Sequence, residues 1–186
     1  MRKSISFANM MKAAAFVSFF TTAVLVLLYR HRPWDWLFAA AITAGTTFYH
    51  FAMRLVVGTI VPLCVKQPMK YRWFQEKAFE PKLYQLLKVK QWKDRMPTYD
   101  PASFSLHGNT MGQIVDNCCV SEAVHEWIIL LSFVPLVFAR WWGAFPVFLT
   151  TSLLAAGFDC CFVIMQRYNR PRLLRILAKK EAKAHE

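Results

Sequence analysis

Residues 144–165 read AFPVFLTTSLLAAGFDCCFVIM and carry a single charge, Asp159. At about 1.5 Å per residue a helix of this length reaches roughly 33 Å, the thickness of a bilayer's hydrocarbon core. Three further blocks have the same character. The first, Ala13 to Tyr29, holds no charge; the second, about 36–65, holds His50 and Arg54; the third is about 124–139. The composition agrees: 56% of the 186 residues are hydrophobic, 16% aromatic and only 18% charged, less charge than a soluble domain carries. An all-α integral membrane protein is expected, a single membrane domain over 1–186 with four transmembrane helices. A long loop, 66–121, separates the second and third spans, and a basic tail, 166–186, follows the fourth.

The first block ends Leu27, Leu28, Tyr29, Arg30 and not in the small residues of a cleavage site, so it reads as a retained anchor. The basic residues set an orientation. The N-terminal segment has three Lys and Arg, the 66–121 loop nine and the tail seven; the two remaining short loops have two and one. Positive segments stay on the cytoplasmic side. A multi-pass protein of the cell membrane is expected, with both termini and the long loop cytoplasmic. Its net charge of +12 suits an anionic inner leaflet. No recognition module for nucleic acid is present, so none is expected as a partner. The five cysteines include the adjacent pairs Cys118–Cys119 and Cys160–Cys161 but no C-x-x-C, which argues against a zinc site or disulfide framework.

Within the loop, Pro81 suits the first turn of a helix. Phe79, Leu83, Leu86 and Leu87 then share one side, with Lys82, Lys88 and Lys90 nearby. This predicts a short amphipathic interfacial helix, lying on the inner leaflet or packing on the ends of the spans.

Ionisable residues inside spans are costly and therefore candidates for function. His50 and Arg54 are four apart and share a helix face. Counted from the outer ends they lie roughly 21 and 27 Å deep, and Asp159 roughly 22 Å deep. An Arg54–Asp159 ion pair or a His50–Asp159 hydrogen bond is within reach, structural or catalytic. A second cluster, Glu122, His125 and Glu126, stands on one side of a helix at the start of the third span. A carboxylate beside an imidazole is what a general base needs. Glu-x-x-His is also half of a di-iron site, but only one copy occurs, so no metal is expected. The third cluster is Gln166-Arg167-Tyr168-Asn169-Arg170-Pro171-Arg172-Leu173. The residue before a proline avoids the helical region, so the helix is expected to break near Asn169. Three Arg at a broken helix end could clamp a phosphate or carboxylate.

This octapeptide, with the Leu-rich basic tail after it, resembles the C-terminus of the glycosyl-4,4'-diaponeurosporenoate acyltransferases of carotenoid biosynthesis. Trp92-Lys93 and Glu122-x-x-His125-Glu-Trp127 resemble the same family, in the same order, over roughly residues 70–175. The first two spans carry no matching motif. The resemblance implies transfer of a fatty acyl group to a sugar hydroxyl of a glycosylated carotenoid or related glycolipid. Position 130, where a His-x4-Asp acyltransferase would carry Asp after His125, is Leu130.

An acyl thioester, such as acyl-CoA, would enter as co-substrate, and no bound cofactor is expected. On this reading His125, Glu122 and Asp159 are the catalytic candidates. Trp92, Lys93, Gln166, Arg167, Tyr168, Asn169, Arg170 and Arg172 are the substrate-binding ones, with Gln166, Asn169 or an Arg stabilising the oxyanion. No Gly-x-Ser-x-Gly elbow is present and no Cys neighbours a His, which favours direct transfer over an acyl-enzyme. The alternatives are a membrane methyltransferase or reductase using a nucleotide cofactor, and a non-catalytic membrane protein or small transporter.

Overall fold

The computed structural model describes residues 7–184, and among them there is no strand. Seven α-helices are present: α1 (Phe7–His31), α2 (Asp35–Cys64), α3 (Glu80–Leu86), α4 (Val89–Trp92), α5 (Met111–Leu131), α6 (Ala139–Trp142) and α7 (Phe145–Ala184). Four helical segments are long and apolar enough to cross a membrane: Phe7–His31, Asp35–Cys64, Met111–Trp142 and Phe145–Lys180. At most 28% of the apolar window in any of them is buried inside the protein. Phe16, Val24, Leu27, Ile60, Leu63 and Leu154 are all about half exposed or more. Apolar surface on this scale needs hydrocarbon around it, and the all-helical membrane architecture expected from the composition is what forms.

The chain divides into two compact units. One comprises 7–59 and 127–159, the other 60–126 and 160–184. The first unit begins with an antiparallel hairpin of α1 and α2. Tyr29 meets Phe38 at 5.4 Å between ring centroids and Phe19 meets Phe48 at 5.2 Å. Between them Gly45 faces Thr22, whose Cγ2 would lie 3.4 Å from a Cβ at that glycine. Tyr49 donates to the Leu131 carbonyl at 2.8 Å, and Arg54 to the Ala155 carbonyl at 3.2 Å. Arg54 also forms an ion pair with Asp159, one of the two contacts the span depths predict.

The second unit holds the long connection. Short 3-10 turns at Pro68–Lys70 and Arg72–Phe74 lead into α3, where Pro81 sits in the first turn as expected. Lys88, at φ 49°, breaks α3 from α4. The side of α3 turned into the protein is its polar one, Glu80 and Tyr84, while Phe79 and Leu86 stand 62% and 78% exposed. Phe79, Leu86 and Leu87 of the predicted amphipathic helix are therefore exposed, while Leu83 is half-buried.

Two element boundaries differ from the sequence expectation. The helix that carries the third apolar block begins well before 124: α5 starts at Met111. Its first turns escape a hydropathy reading because the polar Gln113, Asp116, Asn117 and Ser121 are interspersed with the buried Ile114, Val115, Cys118 and Cys119. The regular helix closes at Leu131, after which Val134–Phe138 winds as a 3-10 turn into α6, and Gly143 at φ 65° closes the segment. The second difference is the break near Asn169, which does not occur: α7 runs unbroken past Pro171 to Ala184. A proline there forfeits the bond to the carbonyl of Arg167, a cost of about 3 kcal/mol. Arg167 and Arg170 on either side of that bond are anchored by carboxylates, and this tertiary pairing holds the backbone helical.

Candidate functional site

The second unit gathers polar residues from three places. From α5 come Glu122, His125 and Glu126, at the spacing that puts them on one side of a helix. From α7 come Gln166 to Arg172. From the connection come Trp73, Glu80, Tyr84 and Lys93.

Glu122 lies at the centre, with no exposure to solvent. Arg170 pairs with its Oε2, and Arg167 Nη2 approaches its Oε1 to 2.7 Å, close enough for an ion pair but off the line of a hydrogen bond. Arg167 is shared further: its Nη1 donates to Glu80 Oε1 at 2.6 Å and its Nη2 to the Trp73 carbonyl at 3.2 Å. Glu126 Oε1 is 3.7 Å from Arg167 Nη2, and the Trp73 indole N–H donates to both its carboxylate oxygens at 2.9 and 3.0 Å. Arg167 also lies over the Trp73 ring, 5.6 Å from its centroid. Two guanidinium groups thus meet three carboxylates. Glu80 in turn accepts from the Tyr84 hydroxyl at 2.7 Å. Burial first, and then that hydrogen bond to a carboxylate, push the Tyr84 phenol well above its ordinary pKa, so it stays a donor.

A different pair of cations is available beside this network. Lys93 and Arg172 both lie over the ring of Tyr168, at 6.0 and 4.1 Å from its centroid. Tyr84 meets the same ring edge-on at 5.4 Å. Arg172 is exposed, and Lys93 keeps Asp94 as a neighbour at 2.5 Å on the solvent side. Trp92 donates to the Leu87 carbonyl at 3.0 Å and braces the turn that carries Lys93. Gln166 donates to Ser121 at 3.2 Å, tying α7 to α5 at the residue before Glu122 and one turn before His125. Asn169 is half-buried on the same helix. His125 stacks on Phe162 with centroids 4.4 Å apart and planes 5° from parallel, which fixes the ring plane and leaves its nitrogens at the edge of the stack.

The structure therefore brings Glu122, the arginines and Lys93 together, but divides the labour among the arginines differently from the sequence expectation. Arg170 is 2% exposed and engaged by Glu122. Asp159 belongs to the first unit, where it pairs with Arg54. Sequence reasoning missed Glu80, Trp73 and Tyr84. The only local signal was a count: two arginines held in a helical, half-apolar setting require acids, and Glu122 and Glu126 do not exhaust their donors.

A family model described as glycosyl-4,4'-diaponeurosporenoate acyltransferase matches residues 70–179. The chain belongs to this family. The match covers more than half of the chain and every residue of the second-unit cluster. It makes the protein an acyltransferase of the carotenoid-biosynthetic kind and sets aside methyl transfer, hydride transfer and a non-catalytic role. No curated protein and no solved structure matched the chain.

Proposed function

We propose that this acyltransferase takes a fatty acyl group from a phosphate-bearing acyl thioester and delivers it to a sugar hydroxyl of a glycosylated carotenoid or related glycolipid, at the second-unit cluster. The observation behind the donor assignment is the pair of cations over Tyr168. Arg172 offers its charge to a phosphate, and Lys93 has only the exposed Asp94 to exchange for one, whereas Arg167 and Arg170 are held by the buried carboxylates Glu80 and Glu122. A phosphate bound between Lys93 and Arg172 would leave the acyl end free to lie along the apolar helices. This reading keeps Lys93, Tyr168 and Arg172 as substrate-binding residues and makes Arg167 and Arg170 positioning residues.

His125 is the general base. The acceptor O–H gives its proton to an imidazole nitrogen as the oxygen bonds to the thioester carbonyl carbon. The tetrahedral intermediate then expels the thiolate, the C–S bond breaks, and the imidazolium returns the proton to sulfur. Glu122, three residues before His125 and held by two arginines, fixes that part of α5. The substrates meet at the cytoplasmic face of the cell membrane, with the loop and both termini on that side and the exposed Phe79 and Leu86 of α3 resting in the anionic inner leaflet.

Steady-state rates of the purified protein in nanodiscs, read against acyl-CoA concentration, test the assignment. His125→Ala should lose about 10²–10⁴-fold in kcat with donor KM little changed. Lys93→Ala and Arg172→Ala should raise donor KM and spare kcat. Near-normal turnover in His125→Ala would remove it from the chemistry.

A further inference from the structure

Hydroxyl side chains in the apolar helices of this protein share a habit. Thr46 donates to the Ile42 carbonyl, Thr59 to Leu55 and Ser132 to Ile128, each at 2.8 Å and each four residues back. In an apolar medium that bond satisfies a group that has no water to turn to. Ser152 departs from the habit. It has no solvent exposure and its Oγ has no protein partner. The acceptor it would use, the Phe148 carbonyl, already receives Thr151 Oγ1 at 3.1 Å.

His50 is the second such group. It is 6% exposed, and neither Nδ1 nor Nε2 has a protein partner. Both residues belong to the first unit, and Arg54 fixes their register. Arg54 reaches the carbonyls of His50 and Ala155 at 2.9 and 3.2 Å, and also Asp159. Four successive spans alternate in direction, so α2 and α7 run the same way. The same guanidinium touches the carbonyls of His50 and Ala155, so these two residues stand at about one level, and Ser152 lies about one turn further toward the start of α7. Ser152 also lies two turns from Asp159 and so on the same face of α7. Helical side chains lean toward their own N-terminus, so the His50 imidazole reaches toward the level of Ser152, and both side chains are buried in the protein on the side of the Arg54–Asp159 pair.

We infer that His50 and Ser152 form a site for the neutral carbonyl oxygen of an acyl ester or thioester. The chemistry selects that class. An imidazole ring N–H and a serine O–H are two donors, and a carbonyl oxygen accepts two hydrogen bonds while offering none. An anion is disfavoured because Asp159 already neutralises the guanidinium. A sugar, with several hydroxyls, needs more polar partners than these two. A carbonyl on an apolar chain enters such surroundings at little cost. The site does not depend on the role given to His125.

The test uses the full-length protein in nanodiscs of diether phospholipid, which lack ester carbonyls. The probe is tritiated S-palmitoylpantetheine; the control is S-hexadecylpantetheine, which differs in lacking the thioester carbonyl. The thioester should bind more tightly than the thioether. His50→Phe and Ser152→Ala should each weaken thioester binding about three- to tenfold, the effect of one hydrogen bond, and leave the thioether unchanged. Without probe, Ser152→Ala should melt no lower than the parent, because it removes a buried polar group that lacks a partner. Equal binding of the two probes, thioester binding indifferent to both substitutions, or a lowered melting temperature for Ser152→Ala would overturn the inference. Exchange into diester lipid identifies the source: competition with the probe assigns the site to membrane esters, and retained binding assigns it to the acyl thioester.

Discussion

Glu122 is a carboxylate with no solvent contact and two guanidinium neighbours, and such a residue is more costly to lose than to have. Glu122→Ala should destabilise the protein by about 3–5 kcal/mol, because Arg170 is left charged in a dry place. Removing both partners in Glu122→Ala with Arg170→Met should be milder than the sum of the single changes. Unfolding in detergent, followed by near-ultraviolet circular dichroism, gives the cycle; simple additivity would show that the two side chains are not coupled. Arg172, exposed on Tyr168, should behave in the opposite way, with a stability change within about 0.5 kcal/mol. The difference between these arginines was not legible in the sequence. The octapeptide shows three Arg at close spacing, but which of them faces Glu80 and Glu122 depends on where a distant loop lies. His125 with Glu122, by contrast, could be read directly, because residues three apart on a helix are neighbours whatever the rest of the chain does.

At the level of elements, the spans were legible and their ends were not. Hydropathy finds a segment that faces lipid, and α1 is almost entirely that. It does not find the first turns of α5, whose polar residues are interspersed with the buried Ile114, Val115, Cys118 and Cys119, nor the passage of α7 through Pro171. The proline rule is a local steric preference of about 3 kcal/mol, and the ion pairs flanking Arg167 and Arg170 outweigh it. Pro171→Ala restores an N–H that can reach the Arg167 carbonyl. It should raise the melting temperature in detergent, corresponding to about 1–3 kcal/mol. A fall would mean that the buried proline ring contributes more by packing than the helix gains from its bond. α3 carries a similar lesson: its spacing showed an apolar side, but only the burial of Glu80 and Tyr84 shows that these two polar residues are turned into the protein.

For the whole molecule, four spans of alternating direction predict that fusions after residue 186 and in the 98–110 loop lie on one side of the membrane and a fusion at 32–35 on the other. Reporter fusions at these three places should read cytoplasmic, cytoplasmic and external; a cytoplasmic reading at 32–35 would remove a span from the first unit. The Arg54–Asp159 pair has a further consequence, in time instead of space. The chain is made from its N-terminus, and Asp159 is 105 residues downstream of Arg54. At roughly 5–20 residues per second, about 5–20 s separate the synthesis of the two. Throughout that interval α2 must enter the bilayer carrying a guanidinium without its carboxylate, a burden smaller than the roughly 2.5–3.5 kcal/mol of a helix centre because Arg54 lies toward the C-terminal end of the span. The second span is therefore the weak step of biogenesis, inserted provisionally and secured only when the last span arrives. A nascent chain stopped before residue 145 should lose the external reading at 32–35 far more often than the full-length protein does.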